Sequence, residues 1–204
     1  MTGLRHIKKQ RIHEAISTAA ISLFLERGFG EVSVAEVAAA AEVSKPTLFK
    51  YFATKEDLVL HRIADHQGEA ARVVRGRQPG EEPLEALERH FLAGLERHDP
   101  VTGLNDHPEV LGYHRMVFST PSLAARVSHY VAVDEEALAE ALMESTDELT
   151  ARLVAGQVLV VQRVLAHRNW RRLAEGETAA QVHPAAVHAA ERAFALLRHG
   201  LDAG

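Results

Sequence analysis

Cysteine is absent from all 204 residues, which excludes disulfides and thiolate metal sites and fits a reducing compartment. Also missing is an apolar run of signal-peptide length near the start. The longest apolar stretch, Leu153 to Leu165, is interrupted by Gln157, Gln162 and Arg163. Neither export nor a membrane span is expected, and the cytoplasm is the expected location. Signatures of catalysis are missing too: there is no GxSxG, no GxGxxG and no P-loop, because Arg75-Gly-Arg-Gln-Pro-Gly80 lacks the lysine. No enzyme activity and no cofactor are expected. A further absence is positional, for no lysine follows Lys55.

That last absence changes the meaning of the net charge. At −5 the whole chain would repel a polyanion, yet Lys8, Lys9, Lys45, Lys50 and Lys55 all lie in the first 55 residues. This segment holds eight Lys and Arg against five Glu, and the other 149 residues hold fifteen against twenty-three Asp and Glu. Phosphate contacts come from local cations, so a weakly basic head on an acidic body suits a DNA binder.

Helix punctuation is dense in that head. Ser33 with Glu36 forms a capping box opening a short helix over about Val34 to Ala41. Ser44 caps a second helix, about Lys45 to Phe52, with Pro46 in its first turn, where a missing N–H leaves no bond unmade. Two short helices around a tight turn outline a helix-turn-helix. Leu48 and Phe52, four apart, are expected in the core, with Lys45, Thr47, Lys50 and Tyr51 largely on the other side. Lys45 is the best candidate for reading guanine, Thr47 offers a methyl to thymine or a hydroxyl to phosphate, and Tyr51 and Lys50 suit phosphates. Lys8, Lys9 and Arg11 either extend this footprint or belong to a mobile terminus.

These residues resemble the TetR family of bacterial transcriptional regulators, and the resemblance spans roughly residues 8 to 60. Upstream, Ile12, Ala15, Ile16, Ala19, Ala20, Leu23 and Phe24, then Arg27-Gly28-Phe29, are similar to the family's first helix and its glycine-ended turn. Downstream, Tyr51-Phe52 and Thr54-Lys55 with Asp57-Leu58 are similar to its tyrosine-phenylalanine, capping and lysine signature. Carried over, the family's DNA contacts fall on Ser33, Lys45, Thr47, Phe49, Tyr51 and Lys55. Two residues depart from the pattern. Glu42 stands where glycine is usual, so the turn either closes without a left-handed residue or strains Glu42 mildly. Phe49 replaces a common tyrosine and lacks a phosphate-reaching hydroxyl.

The rest of the chain reads as helices cut by prolines, and the fold class is all-α. The resemblance implies a three-helix DNA-binding domain over 1–53 and a helical effector-binding and dimerisation domain over 54–204. Thr54 with Asp57 opens one long helix to about Arg75. Leu84, Leu87, Phe91 and Leu95 stripe the next helix. Helices follow over about Glu109 to Phe118 and Pro121 to Leu142. A box at Ser145 and Glu148 opens another from Leu149 to about Trp170, and Pro184 stands near the start of the last.

The helix carrying Leu149, Leu153, Val158 and Leu165 is apolar around much of its circumference and must be covered on more than one side. It is either fully buried or part of a four-helix interface with a second copy. The resemblance favours the homodimer, with Leu153, Gly156, Leu159, Val187, Phe194 and Leu197 at the interface and a palindromic duplex as partner. It also implies a small-molecule effector cavity. Candidates for its lining are His61, His66, Tyr113, His114, Met116, Phe118, Tyr130 and Gln162, and the Ala, Leu and Val content favours an apolar or amphipathic effector. Thirteen histidines invite a metal reading, but their spacing supplies no ligand set and no metal is expected. The function expected is that of a ligand-responsive, homodimeric repressor. The alternative is a small-molecule binder with a degenerate head.

Overall fold

The computed structural model describes the backbone of residues 2–200 and the side chains of residues 9–200. About 76% of the described residues are helical, and they include no strand. Contacts divide the molecule into a head, residues 1–65 with 112–127, and a body, residues 66–111 with 128–204.

In the head, α1 (Thr2–Arg27) ends at Gly28, whose φ of 93° is open to glycine and strained for other residues. Ile16, Ala20 and Phe24 from α1 pack in a core with Val37 of α2 (Val34–Ala40), Leu48 of α3 (Lys45–Phe49), and Phe52 and Leu58 beyond it. As expected, Leu48 and Phe52 are buried. The α-helical part of α3 stops at Phe49, three residues earlier than the pattern indicated. Tighter turns carry the chain on, with Lys50 N–H on the Thr47 carbonyl and Tyr51 N–H on that of Leu48.

The expected long helix after Thr54 is two helices, α4 (Asp57–Ala64) and α5 (Glu69–Arg75). They are separated at Gly68, which has a left-handed φ of 69° and whose N–H donates to Asp134 Oδ1 at 2.8 Å. An opening cap does not reveal such a break, because the break is stabilised by a carboxylate 66 residues away.

The body packs α5, α6 (Pro83–Glu96), α9 (Glu148–Ala174) and α10 (Ala179–His199) with the latter part of α8 (Pro121–Leu142). Leu87, Phe91, Leu95, Leu138, Val158, Val182 and Phe194 fill its core. Two helix starts differ from expectation. Asp147, not Ser145, caps α9 by accepting the Thr150 N–H, and α10 begins at a Thr178–Gln181 capping box, which leaves Pro184 inside the helix. A 3-10 turn, Pro100–Thr102, presses on α9, where buried Asn169 donates to the Thr102 carbonyl at 3.0 Å. The next residue must be glycine: a Cβ on Gly103 would lie 2.0 Å from the Ala166 carbonyl oxygen, and its φ is 70°.

Residues of α7 (Pro108–Ser119) and α8 serve both units. Gly112 to Ser119 and Pro121 to Val127 belong to the head. There the Tyr113 hydroxyl donates to the Val59 carbonyl at 2.8 Å, and the Arg126 guanidinium pairs with Asp57 at 2.6 Å. The expected division after residue 53 is one of role, which contacts do not test.

Candidate nucleic-acid interface

Two caps and a turn position α3. Ser33 N–H donates to Glu36 Oε2 at 2.8 Å, and Glu36 N–H donates back to Ser33 Oγ at 3.2 Å. Arg27 holds the same carboxylate at 2.8 Å. The Ser33 backbone N–H, the Ser33 hydroxyl and the Arg27 guanidinium together push the Glu36 carboxyl down to about 2. The chain then turns through Glu42 at φ 53°. Val43 N–H reaches the Ala38 carbonyl at 2.9 Å and Glu42 N–H that of Ala39 at 3.1 Å, the paired bonds of a Schellman ending, with glutamate in the position glycine usually holds. Of the two alternatives for this turn, mild strain at Glu42 is the one observed.

Beyond the turn Ser44 Oγ accepts the Thr47 N–H at 3.2 Å and lies 2.8 Å from Thr47 Oγ1, which ties that hydroxyl back to the cap. Lys45, Phe49 and Lys50 are exposed, and Tyr51 is half-buried. The Lys45 ammonium lies 6.0 Å from the Phe49 ring centroid, so cation and ring share one face, as an i, i+4 pair should.

Lys55 is more deeply engaged than the sequence indicated. Its ammonium donates to the Phe29 carbonyl and sits 4.5 Å from the Phe29 ring centroid and 5.5 Å from that of Phe24. It therefore fastens the start of α4 to the turn after α1. An ammonium has three donors, so this bond leaves capacity for a phosphate. Thr54 and Asp57 cap that start reciprocally, at 2.9 and 3.2 Å, and Asp57 carries the Arg126 ion pair as well. Arg126 was not foreseen as a supporting residue, because 69 residues separate it from Asp57. The side chain of Lys8 lies outside the described residues, while Lys9 and Arg11 are exposed on α1.

The residues expected around an effector are divided between the units. His61 is packed in the head: its Nε2 is 2.7 Å from Ser17 Oγ, and its ring meets those of His13 and Phe52 edge-on at 5.3 and 5.6 Å. Burial, assisted by His13, pushes its pKa below the ordinary value. Tyr113, His114, Met116 and Phe118 also belong to the head, with His114 and Phe118 rings 4.4 Å apart, Met116 buried and Phe118 exposed. In the body, His66 pairs with Glu69 at 2.8 Å, and His90 takes the other oxygen at 3.1 Å. Burial alone would raise the Glu69 carboxyl, but the two histidines outweigh it and hold it below its usual value. Tyr130 and Gln162 are half-buried. An open hollow along α8 is lined by Ala132, Val133, Glu136, Ala137 and Glu140, none of them among the expected effector residues. No cluster of three or more His, Asp or Glu able to hold a metal occurs among the described residues.

Residues 16–61, which contain the caps and the turn that position α3, match the family of bacterial regulatory proteins, tetR family. The chain is 29% identical over 175 residues to the HTH-type transcriptional regulator TcmR of Streptomyces glaucescens, covering 82% of this chain and 76% of TcmR. These matches support a TetR-family transcriptional regulator. Two solved structures share its fold. NalD of Pseudomonas aeruginosa, the secondary repressor of the MexAB-OprM multidrug efflux pump, superposes with a TM-score of 0.61 at 16% identity, over 90% of this chain and 97% of its own. FadR of Bacillus subtilis in complex with stearoyl-CoA gives 0.53 at 18% identity, over 92% and 98%. Within this TetR-type frame the expected DNA contacts Ser33, Lys45, Thr47, Phe49, Lys50, Tyr51 and Lys55 all lie between the start of α2 and the start of α4. Cations and hydroxyls around a short apolar face are groups that can bind phosphates.

Proposed function

We propose that this regulator acts in the cytoplasm as a homodimer that represses transcription from a palindromic operator and is released by an apolar or amphipathic effector. The observation that supports the dimer is an apolar ridge on α9. Leu149, Leu153, Val160 and Val164 are 68%, 55%, 49% and 57% exposed, and their spacing of four, seven and four keeps them on one side of the helix. A ridge of this length on a single chain invites a partner, and a second copy presents the same ridge. By length and composition α9 would also suffice to cross a membrane. Gln157, Gln162 and Arg163 along it, and the packing of Ala151, Ala155, Val158 and Leu165 into the body core, favour the soluble dimer.

The ridge redistributes the interface expected from the sequence. Leu153 lies on it. Leu159, Val187 and Leu197 are half-buried at the margin of the core, and Gly156 is turned toward α8, where a Cβ would come 3.3 Å from Glu135 Oε1. Phe194 is fully buried, 6.3 Å from Phe91, and has no surface to offer a partner. Leu149, Val160 and Val164 take its place in the proposed interface. The effector class is supported by the Ala, Leu and Val content of the body and by the acyl-CoA held in the FadR structure.

The test is the double substitution Leu153→Asp with Val160→Asp. It is expected to halve the mass measured by light scattering, leave helicity intact, and weaken binding to a selected palindromic duplex by about a hundredfold or more, because two half-sites no longer bind as one ligand. An unchanged mass would exclude the ridge as the interface.

A further inference from the structure

Phe49 is 43% exposed on the reading helix although the two neighbouring apolar residues, Leu48 and Phe52, are buried. The core of the head is complete without it. Its ring offers neither donor nor acceptor, so it can bind neither a phosphate nor the polar edge of a base. Thr47, two residues earlier, has its hydroxyl tied to Ser44 Oγ at 2.8 Å, which leaves its methyl as the group to present. Lys45 and Lys50 flank the pair with exposed cations, which draw a polyanion onto this face and hold it by its phosphates or by guanine. Among the base edges of the major groove, one group matches an apolar surface: the 5-methyl of thymine.

We infer that Phe49, supported by the Thr47 methyl, determines sequence specificity by covering thymine methyl groups, so that each half-site carries A·T pairs where the ring docks. The inference rests on the head being the DNA-reading part of the chain and adds which chemical group it reads.

The experiment uses the full-length protein and a duplex selected from a random pool. Each thymine of the half-site is replaced singly by deoxyuridine, which removes the methyl and nothing else. At one or two positions per half-site the affinity of the native protein should fall about fourfold, as expected for uncovering one methyl group. Phe49→Ala should bind thymine and uracil duplexes alike, with the salt dependence of binding unchanged because no phosphate contact is lost. Phe49→Tyr should keep the discrimination, which separates loss of the ring from any general damage to the head. If every thymine can be replaced without loss, or if Phe49→Ala retains the discrimination, the inference is overturned while the chain remains a DNA-binding regulator. Failure to enrich any duplex, together with an absence of salt-dependent binding, would overturn both.

Discussion

The head and the body of this protein are held by different kinds of interaction, and the difference decides where each is fragile. In the head, short helices of five to eight residues are too brief to stand on propensity, and hydrogen bonds between near neighbours in sequence define their ends: Ser33 with Glu36, Ser44 with Thr47, Thr54 with Asp57. In the body, long helices are fixed by contacts between residues far apart, such as Asn169 on Thr102, Gly103 under Ala166 and Phe91 against Phe194. Local bonds give many small, separable contributions, whereas close packing concentrates stability at a few contacts that admit no substitute.

The sharpest way to break this contrast is Gly103→Ala. The added Cβ would overlap the Ala166 carbonyl at 2.0 Å on a backbone with φ 70°, so strain and displacement of α9 combine. The expected loss is about 4 kcal/mol or more, read as a large fall in the denaturation midpoint of the body. A mild effect would mean that the 3-10 turn can move off α9 without penalty.

A smaller effect separates the two regions by pH. His61 in the head is held neutral below its unfolded pKa of 6.5, so the unfolded chain takes up its proton first. The stability contributed by keeping His61 neutral is present above pH 6.5 and declines as pH falls below that value toward the folded pKa. Glu69 in the body is depressed below 4.5, so its contribution is present above pH 4.5 and is lost only in more acid solution. Between pH 7.5 and 5.5 the head should therefore weaken while this part of the body does not. His61→Gln, which keeps a partner for Ser17, should flatten that slope in thermal melts. An equal slope in the variant would remove His61 as its source.

The smallest expected effect is a gain. Glu42→Gly relieves a left-handed residue at the end of α2, and after allowing for the greater freedom of an unfolded glycine it should stabilise the head by roughly 0.5–1 kcal/mol. No change in chemical denaturation would show that the Schellman bonds of Val43 and Glu42 already absorb the strain.

Much of the interface was legible before any coordinates. The caps at Ser33 and Ser44, the burial of Leu48 and Phe52, the exposed cations and the family resemblance all follow from residues within a few positions of one another. The supports were less visible: Arg126 on Asp57 and Tyr113 on Val59 span 69 and 54 residues, and no local spacing announces them. The same limit applies to the break at Gly68, because nothing near it in the sequence points to Asp134.

On its own, the sequence determined the all-α class, the helix-turn-helix with its caps, the concentration of lysine in the head and the resemblance to the family, because each rests on local hydrogen bonding, helical periodicity or composition. The tertiary structure alone decided that Phe194 belongs to the core, that Leu149, Val160 and Val164 face outward beside Leu153, and that residues 112–127 complete the head. A helix apolar on several sides does not state which side its neighbours will cover, and that choice is made only when the other helices pack against it.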